Sequence, residues 1–279
     1  MDWSRNAADW PLAQFSQFIL HKPHKWHVQI AGNGPLVLLI HGAGGATQSW
    51  RHLFPALMQT HRVIAIDLPG QGFTKLGAQQ RCGLVHMAQD IAALCRAQNW
   101  HPDLIIGHSA GAAIALEMAD LLAHRPHIIG INAALDTFKG VAGVMFPVLA
   151  KTLAMLPMVA DVFTLTATRG QGVQRLLNST GSQLGSNDII FYQRLFQDRQ
   201  HVNATLQMMA QWDLDPLIAR LGGIPNDIHL IAGDADQMVP WTVSQSAAET
   251  LPHGSFTRLQ GLGHLMHEEA PKQVLSLLK

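Results

Sequence analysis

Charge is scarce in this chain of 279 residues. Asp, Glu, Lys and Arg together make up 14%, against ~25% in an ordinary globular protein. Nineteen basic side chains are balanced by nineteen acidic ones. No basic surplus exists for neutralising phosphates, which excludes a nucleic-acid partner held by charge. Cysteine is nearly absent. Cys82 and Cys95 are too few for a disulfide scaffold, and no CxxC or Cys/His spacing suggests zinc. Two reduced thiols in a cytoplasm are the expectation. The first residues show no basic stretch leading into an apolar one, so no signal peptide is expected. No apolar run reaches the ~18 residues of a membrane span. The most apolar stretch, 138–167, is interrupted by Lys139, Pro147, Lys151, Pro157 and Asp161. HExxH and paired carboxylates are missing too, so neither a metal nor a cofactor is expected. What remains is a chain that is 48% hydrophobic, too apolar for disorder and long enough to bury a sizeable core.

Short β-branched runs alternate with helical patterns. Residues 16–21 and 26–31 read as edge strands. Runs at 35–40, 63–66, 104–106, 128–132, 228–232 and 256–259 read as strands, several of them fully apolar. Between them, Leu84, Ala88, Ile91 and Cys95 recur on one face of a helix over 84–99. Residues 110–124 form a helix apolar nearly all round. This alternation indicates a mainly parallel sheet covered on both faces. It breaks after about Leu135 and resumes near 213. The expected organisation is an α/β core (1–134 and 213–279) with a helical lid (135–212) inserted in one loop.

The sequence Gly107-His108-Ser109-Ala110-Gly111 fits G-x-S-x-G directly between a strand and a helix. In such a turn the serine takes a strained conformation that lifts its hydroxyl from the sheet. Residues two before and two after must be small because strand and helix backbones nearly touch. A Gly-rich turn with a capping serine is the bland alternative. A serine needs a base, and His264 in the loop after the last strand is the candidate. His267 reads as structural or rim. The orienting acid is best placed at Asp236, with Asp234 (a turn former) and Asp136 as rivals. Oxyanion donors are expected from the N–H of Ala110 and of Ala43 in the loop His41-Gly42-Ala43-Gly44-Gly45, with Gly44 next in line. That loop lacks the Lys and Ser/Thr of a phosphate cradle and the spacing of a dinucleotide site. The turn Asp67-Leu68-Pro69-Gly70-Gln71-Gly72 reads as architecture. His21, His24 and His27 do not share a strand face, which speaks against a metal there.

Taken in order, HGAGG, DLPGQG, GHSAG, GDADQMVP and GLGH resemble the α/β-hydrolase superfamily along the whole chain. The fold implied is an α/β-hydrolase fold with an inserted helical lid. A narrower resemblance rests on HGAGGATQSWR, GHSAGAAIALEMA, INAAL, STGS, MMAQWDLDPL and GLGHLMHEE. These are similar to the magnesium-chelatase accessory proteins of bacteriochlorophyll gene clusters. That likeness implies a setting near magnesium insertion into protoporphyrin, a tetrapyrrole as candidate ligand and chelatase subunits as candidate partners. Within HGAGG, Ala43 stands where that group is expected to carry Thr. A backbone donor survives the change, but any contact from a Thr hydroxyl is lost.

The leading expectation is a serine hydrolase for an ester or thioester with an apolar part. A serine at the nucleophile position speaks against haloalkane dehalogenase or epoxide hydrolase chemistry, which needs an aspartate there. The alternatives are a non-catalytic tetrapyrrole-binding or chelatase-accessory module, and a cofactor-free haloperoxidase or C–C bond hydrolase. The substrate pocket is expected between lid and core, lined by His41, Gly42, His108, Phe138, Met145, Met208, Met209, Trp212 and Met238. Methionines and aromatics there suit a porphyrin, an acyl chain or a membrane surface.

Overall fold

The computed structural model describes residues 1–136 and 171–278. Eight strands form one sheet: β1 (Ser16–His21), β2 (His24–Ala31), β3 (Leu36–Ile40), β4 (Arg62–Ile66), β5 (Leu104–His108), β6 (His127–Ile131), β7 (Ile228–Gly233) and β8 (Gly254–Leu259). Their order is β1-β2-β4-β3-β5-β6-β7-β8. The pairs β1–β2 and β2–β4 are antiparallel, and every other pair is parallel. Strand β2 is therefore interior rather than an edge. It pairs with β1 through Ser16↔Gln29 and with β4 through Val28↔Ile66, and Trp26 and Val28 are fully buried.

The continuous apolar strands face two cores. Leu36, Leu38 and Ile40 point to one face, where α3 (Leu84–Ala97) and α4 (Ala110–Met118) cover the sheet. Val37 and Leu39 point to the other, against Phe54 and Leu57 of α2 (Phe54–Leu57), Met266 of α10 (Met266–Glu269) and Val274 of α11 (Pro271–Leu275). On α3 the stripe Leu84, Ala88, Ile91 and Cys95 is buried as the periodicity predicts. Helix α4 stops at Met118, short of the expected 124. Leu121 N–H closes a turn on the Met118 carbonyl, and Arg220 pairs with Glu117 and Asp120 at that end.

Helices α5 (Gly172–Asn178), α6 (Ser186–Gln197) and α7 (Arg199–Ala210) lie between β6 and β7. Residues of α5 and α6 (Val173, Leu177, Ile189, Tyr192 and Leu195) form a third apolar cluster with Met1, Trp10, Ala46, Phe73 and Leu265. α8 (Asp215–Ala219) leads back into β7, and α9 (Trp241–Thr250) joins β7 to β8. The apolar stretch 138–167, with Phe138 and Met145, lies outside the described residues.

Strand order reverses around β3: β4 lies on one side of it and β5 on the other. In open α/β sheets the carboxyl ends of strands at such a switch point form a crevice. The loops after β3 and β5 carry the HGAGG and GHSAG sequences, so the topology alone brings them together.

Candidate active site

Ser109 sits between β5 and α4 with φ 52° and ψ −116°. A positive φ at a non-glycine residue is strained, and close packing on either side enforces it. A Cβ on Gly107 would lie 2.4 Å from the Gly111 carbonyl oxygen, and one on Gly111 would lie 2.1 Å from that of Ile40. Only glycine fits at both positions, for the reason the sequence suggested.

His264 Nε2 lies 3.0 Å from Ser109 Oγ, and His264 Nδ1 lies 2.7 Å from Asp236 Oδ2. The Nδ1–H donates to the carboxylate, which leaves Nε2 free to accept the serine proton. The other carboxylate oxygen, Oδ1, accepts the N–H groups of Met238 at 2.7 Å and Val239 at 3.0 Å. The Asp236 side chain is fully buried. Asp234 does different work: it accepts the Gly261 N–H at 2.7 Å and pairs with Arg258. Those partners hold its carboxyl below its usual range, the Gly261 N–H most of all. Asp136 lies at the cleft wall, while the His264 Nδ1–H goes to Asp236.

The loop after β3 is arranged around one peptide. The Gly42 carbonyl accepts from His41 Nδ1–H at 2.7 Å and from the Gly45 N–H at 3.1 Å. In a trans peptide the N–H points away from the C=O. Pinning that carbonyl therefore fixes the orientation of the Ala43 N–H, and Ala43 and Ala110 both line the cleft. Gly44 is not a free donor, because its N–H is taken by Gln71 Oε1 at 2.8 Å. His41, expected in the pocket, does not line it. Its ring is turned inward, where Nε2 accepts the Leu68 N–H at 3.0 Å, and it is fully buried. Burial holds its pKa below the usual histidine value.

Gln71 and His201 are further residues of this arrangement. Gln71 also donates to Met208 Sδ, and His201 Nε2–H donates to the Gly44 carbonyl at 3.2 Å while its Nδ1 accepts the Gly72 N–H. Burial pushes the His201 pKa down to about 4. Gln71 was readable as part of DLPGQG; nothing in the sequence separates His201 from the other histidines. Asp67 of that turn anchors the loops, accepting from Thr47 N–H, Phe73 N–H and His27 Nδ1–H. Burial alone would raise its pKa, but His27 beside it keeps the carboxyl below the usual range.

Behind the site, the His108 and His267 rings meet with centroids 4.3 Å apart and planes tilted by 43°, and burial drives both pKa values well below normal. His267 is fully buried against Ser49, at 2.7 Å, so it is structural and not part of the rim. Glu268 accepts from Ser49, Tyr192 and Arg51, which ties α6 to the core.

The described residues line a cleft of about 1050 Å³ above Ser109. Gly42, His108, Met208, Met209, Trp212 and Met238 line it, joined by Leu176, Tyr192 and Phe196, which sequence reasoning did not name. Met238 is half exposed at its mouth. Phe138 and Met145 fall outside the described residues. No group of side chains suited to a metal ion occurs among the described residues.

This combination of sheet, nucleophile turn and loop arrangement defines a class. Residues 37–277 match the alpha/beta hydrolase family, and the chain belongs to it. More particularly, it is 43% identical over 97% of its length to the "Magnesium-chelatase 30 kDa subunit" of Rhodobacter capsulatus, covering 95% of that protein. It is 27% identical to the "Pimeloyl-[acyl-carrier protein] methyl ester esterase" of Aeromonas hydrophila, over 90% of this chain and 97% of that one. Among solved structures, an alpha/beta hydrolase fold protein from Burkholderia ambifaria superposes with a TM-score of 0.79 at 20% identity, covering 95% of this chain and 97% of that one. No described helix is long and apolar enough to cross a membrane.

Proposed function

We propose that this protein is a cytoplasmic serine hydrolase acting on an ester or thioester with an apolar part, in the setting of bacteriochlorophyll synthesis. The observation that carries the reading is the hydrogen-bonded line Ser109 Oγ–His264 Nε2 (3.0 Å) and His264 Nδ1–Asp236 Oδ2 (2.7 Å) opening into an apolar cleft. Ser109 Oγ attacks the substrate carbonyl as His264 Nε2 takes its proton. The oxyanion is held by the N–H groups of Ala43 and Ala110. His264 then gives the proton to the leaving alkoxide or thiolate. Water, activated by the same imidazole, releases the acyl group. Asp236 keeps the proton on Nδ1 throughout. Within the proposed lid region, 135–212, the described helices α5, α6 and α7 contribute Leu176, Tyr192, Phe196 and Met208 to the wall of this cleft.

Labelling with a fluorophosphonate tests this directly. Wild type should be labelled and Ser109→Ala should not; equal labelling of both would overturn the assignment. The substrate's apolar part is a proposal resting on the cleft lining and on the 43% likeness to a magnesium-chelatase subunit. That likeness also supports a second reading, a tetrapyrrole-binding accessory module that meets chelatase subunits. Titration with protoporphyrin and magnesium protoporphyrin separates the two. Saturable binding that weakens in Met208→Lys supports a tetrapyrrole in the cleft. Turnover of medium-chain p-nitrophenyl esters without porphyrin binding leaves the plain hydrolase.

A further inference from the structure

Asn132 follows β6, is 1% exposed and has a φ of 45°. Its side chain makes three hydrogen bonds, all to backbone. Nδ2 donates to the carbonyls of Gly263 at 3.0 Å and His264 at 2.8 Å, while Oδ1 accepts the Gly233 N–H at 2.8 Å. Gly233 ends β7, three residues before Asp236; His264 is the proposed base. One amide thus ties the strand end that leads to the acid to the loop that carries the base. His108, the residue before Ser109, adds a second donor to the same carbonyl, with Nε2–H 2.9 Å from His264 O.

The bland reading is that Asn132 satisfies backbone groups that burial would otherwise orphan. Three features go further. The carbonyl engaged twice belongs to the base itself. Both donors follow or end strands that flank the nucleophile turn. The two loops touch so closely that a Cβ on Gly233 would lie 2.2 Å from the Leu262 carbonyl oxygen. The relative register of acid and base therefore runs through this amide, and its positive φ, tolerated best by Asn among non-glycine residues, turns the side chain toward both.

We propose that Asn132, seconded by His108, is a positioning residue for the hydrolysis: it holds the His264 backbone so that the imidazole spans Ser109 and Asp236. The inference rests on the hydrolase reading. Misplacement of a reacting group by about 1 Å costs on the order of 10²-fold in rate, so Asn132→Ala should lose roughly 10–100-fold in kcat with little change in KM.

The test uses the full chain as wild type, Asn132→Ala, Asn132→Asp and Asn226→Ala. Asn226 is a comparably buried asparagine that donates to the Pro126 carbonyl, away from the site. Fluorophosphonate titration counts competent sites, and p-nitrophenyl ester kcat and KM are then expressed per titrated site, beside the Tm of each variant. Asn132→Ala should lose kcat per site, whereas Asn226→Ala should lose Tm alone. In Asn132→Asp a carboxylate oxygen faces two carbonyl oxygens; protonated, it donates again. Its activity relative to wild type should therefore rise as pH falls. A kcat per site within threefold of wild type in Asn132→Ala, or a pH-independent ratio for Asn132→Asp, overturns the proposal while leaving the hydrolase reading intact. A wild-type protein that is never labelled overturns both.

Discussion

Replacing Asp236 by Asn exchanges one carboxylate oxygen for an NH₂, and the consequences follow from the hydrogen bonds at that side chain. Oδ1 accepts two backbone N–H groups, from Met238 and Val239, and Oδ2 accepts His264 Nδ1–H. An asparagine has one acceptor oxygen. If its oxygen faces the imidazole, its NH₂ is forced against two N–H donors inside a buried pocket, and two hydrogen bonds are lost at about 1 kcal/mol or more each. If its oxygen keeps those N–H groups, its NH₂ faces Nδ1. His264 then holds its proton on Nε2, where it meets Ser109 as a donor and cannot accept the serine proton. The second arrangement keeps more bonds, so the wrong tautomer wins. Removing the orienting acid of such a trio costs on the order of 10⁴ in kcat, or about 5.5 kcal/mol of barrier. Asp136→Asn should stay within threefold of wild type, because the His264 Nδ1–H is already held by Asp236. The assay is fluorophosphonate labelling rate together with p-nitrophenyl ester turnover, with Tm recorded to exclude unfolding. A loss smaller than tenfold for Asp236→Asn, or a larger loss for Asp136→Asn, would refute the assignment of the acid.

His41→Ala removes one of the two hydrogen bonds that hold the Gly42 carbonyl, and kcat should fall by at least tenfold and at most about 10²–10³, the worth of one oxyanion donor, measured on the same ester. Gly111→Ala sets a Cβ 2.1 Å from the Ile40 carbonyl oxygen; overpacking of that kind costs about 3 kcal/mol, a Tm drop of roughly 6–12 °C, whereas Gly223→Ala, with nothing within 4 Å of its Cβ, should melt near wild type. His201 is neutral when folded, with its pKa pushed down to about 4. The unfolded chain takes up that proton first, so its contribution of roughly 3 kcal/mol is complete above the ordinary histidine value and fades as pH falls from ~6.5 toward 4. Urea unfolding of His201→Gln should show a pH slope shallower by about 1.4 kcal/mol per unit in that window; an unchanged slope would mean that His201 is not held neutral.

The nucleophile turn was legible because its steric demand is local. A sheet strand and a helix that meet at Ser109 leave no room for a Cβ at 107 or 111, so the requirement is written in the pentapeptide. Asp236 and His264 were legible by their position after apolar strands, as was the burial of alternate residues in β3 on two faces. What the sequence could not carry is the direction in which a ring turns. His41 was expected in the pocket and faces the interior instead, because its partners, Gly42 O and Leu68 N–H, are backbone groups with no side-chain signature. The same holds for Asn132 and His201, which bond to Gly233, Gly263, Gly44 and Gly72. Residues 26–31 are expected as an edge strand, yet β1 covers β2 on its outer side.

The way stability is spent favours catalysis over a bare binding role. Ser109 is held at φ 52°, a strain of about 1–3 kcal/mol. A carboxyl group at Asp236 is buried against two N–H donors and an imidazole, which is unfavourable unless all three are aligned. Ala43 and Ala110, the proposed oxyanion donors, both line the cleft, and His41 holds the peptide between Gly42 and Ala43 by its carbonyl. A module that only grips a flat apolar ligand gains from none of these, since Met208, Met209 and Trp212 already supply the apolar contact. Each of the three makes sense together when a carbonyl enters the cleft: the hydroxyl meets it, the imidazole takes the proton, and the two N–H groups hold its oxygen.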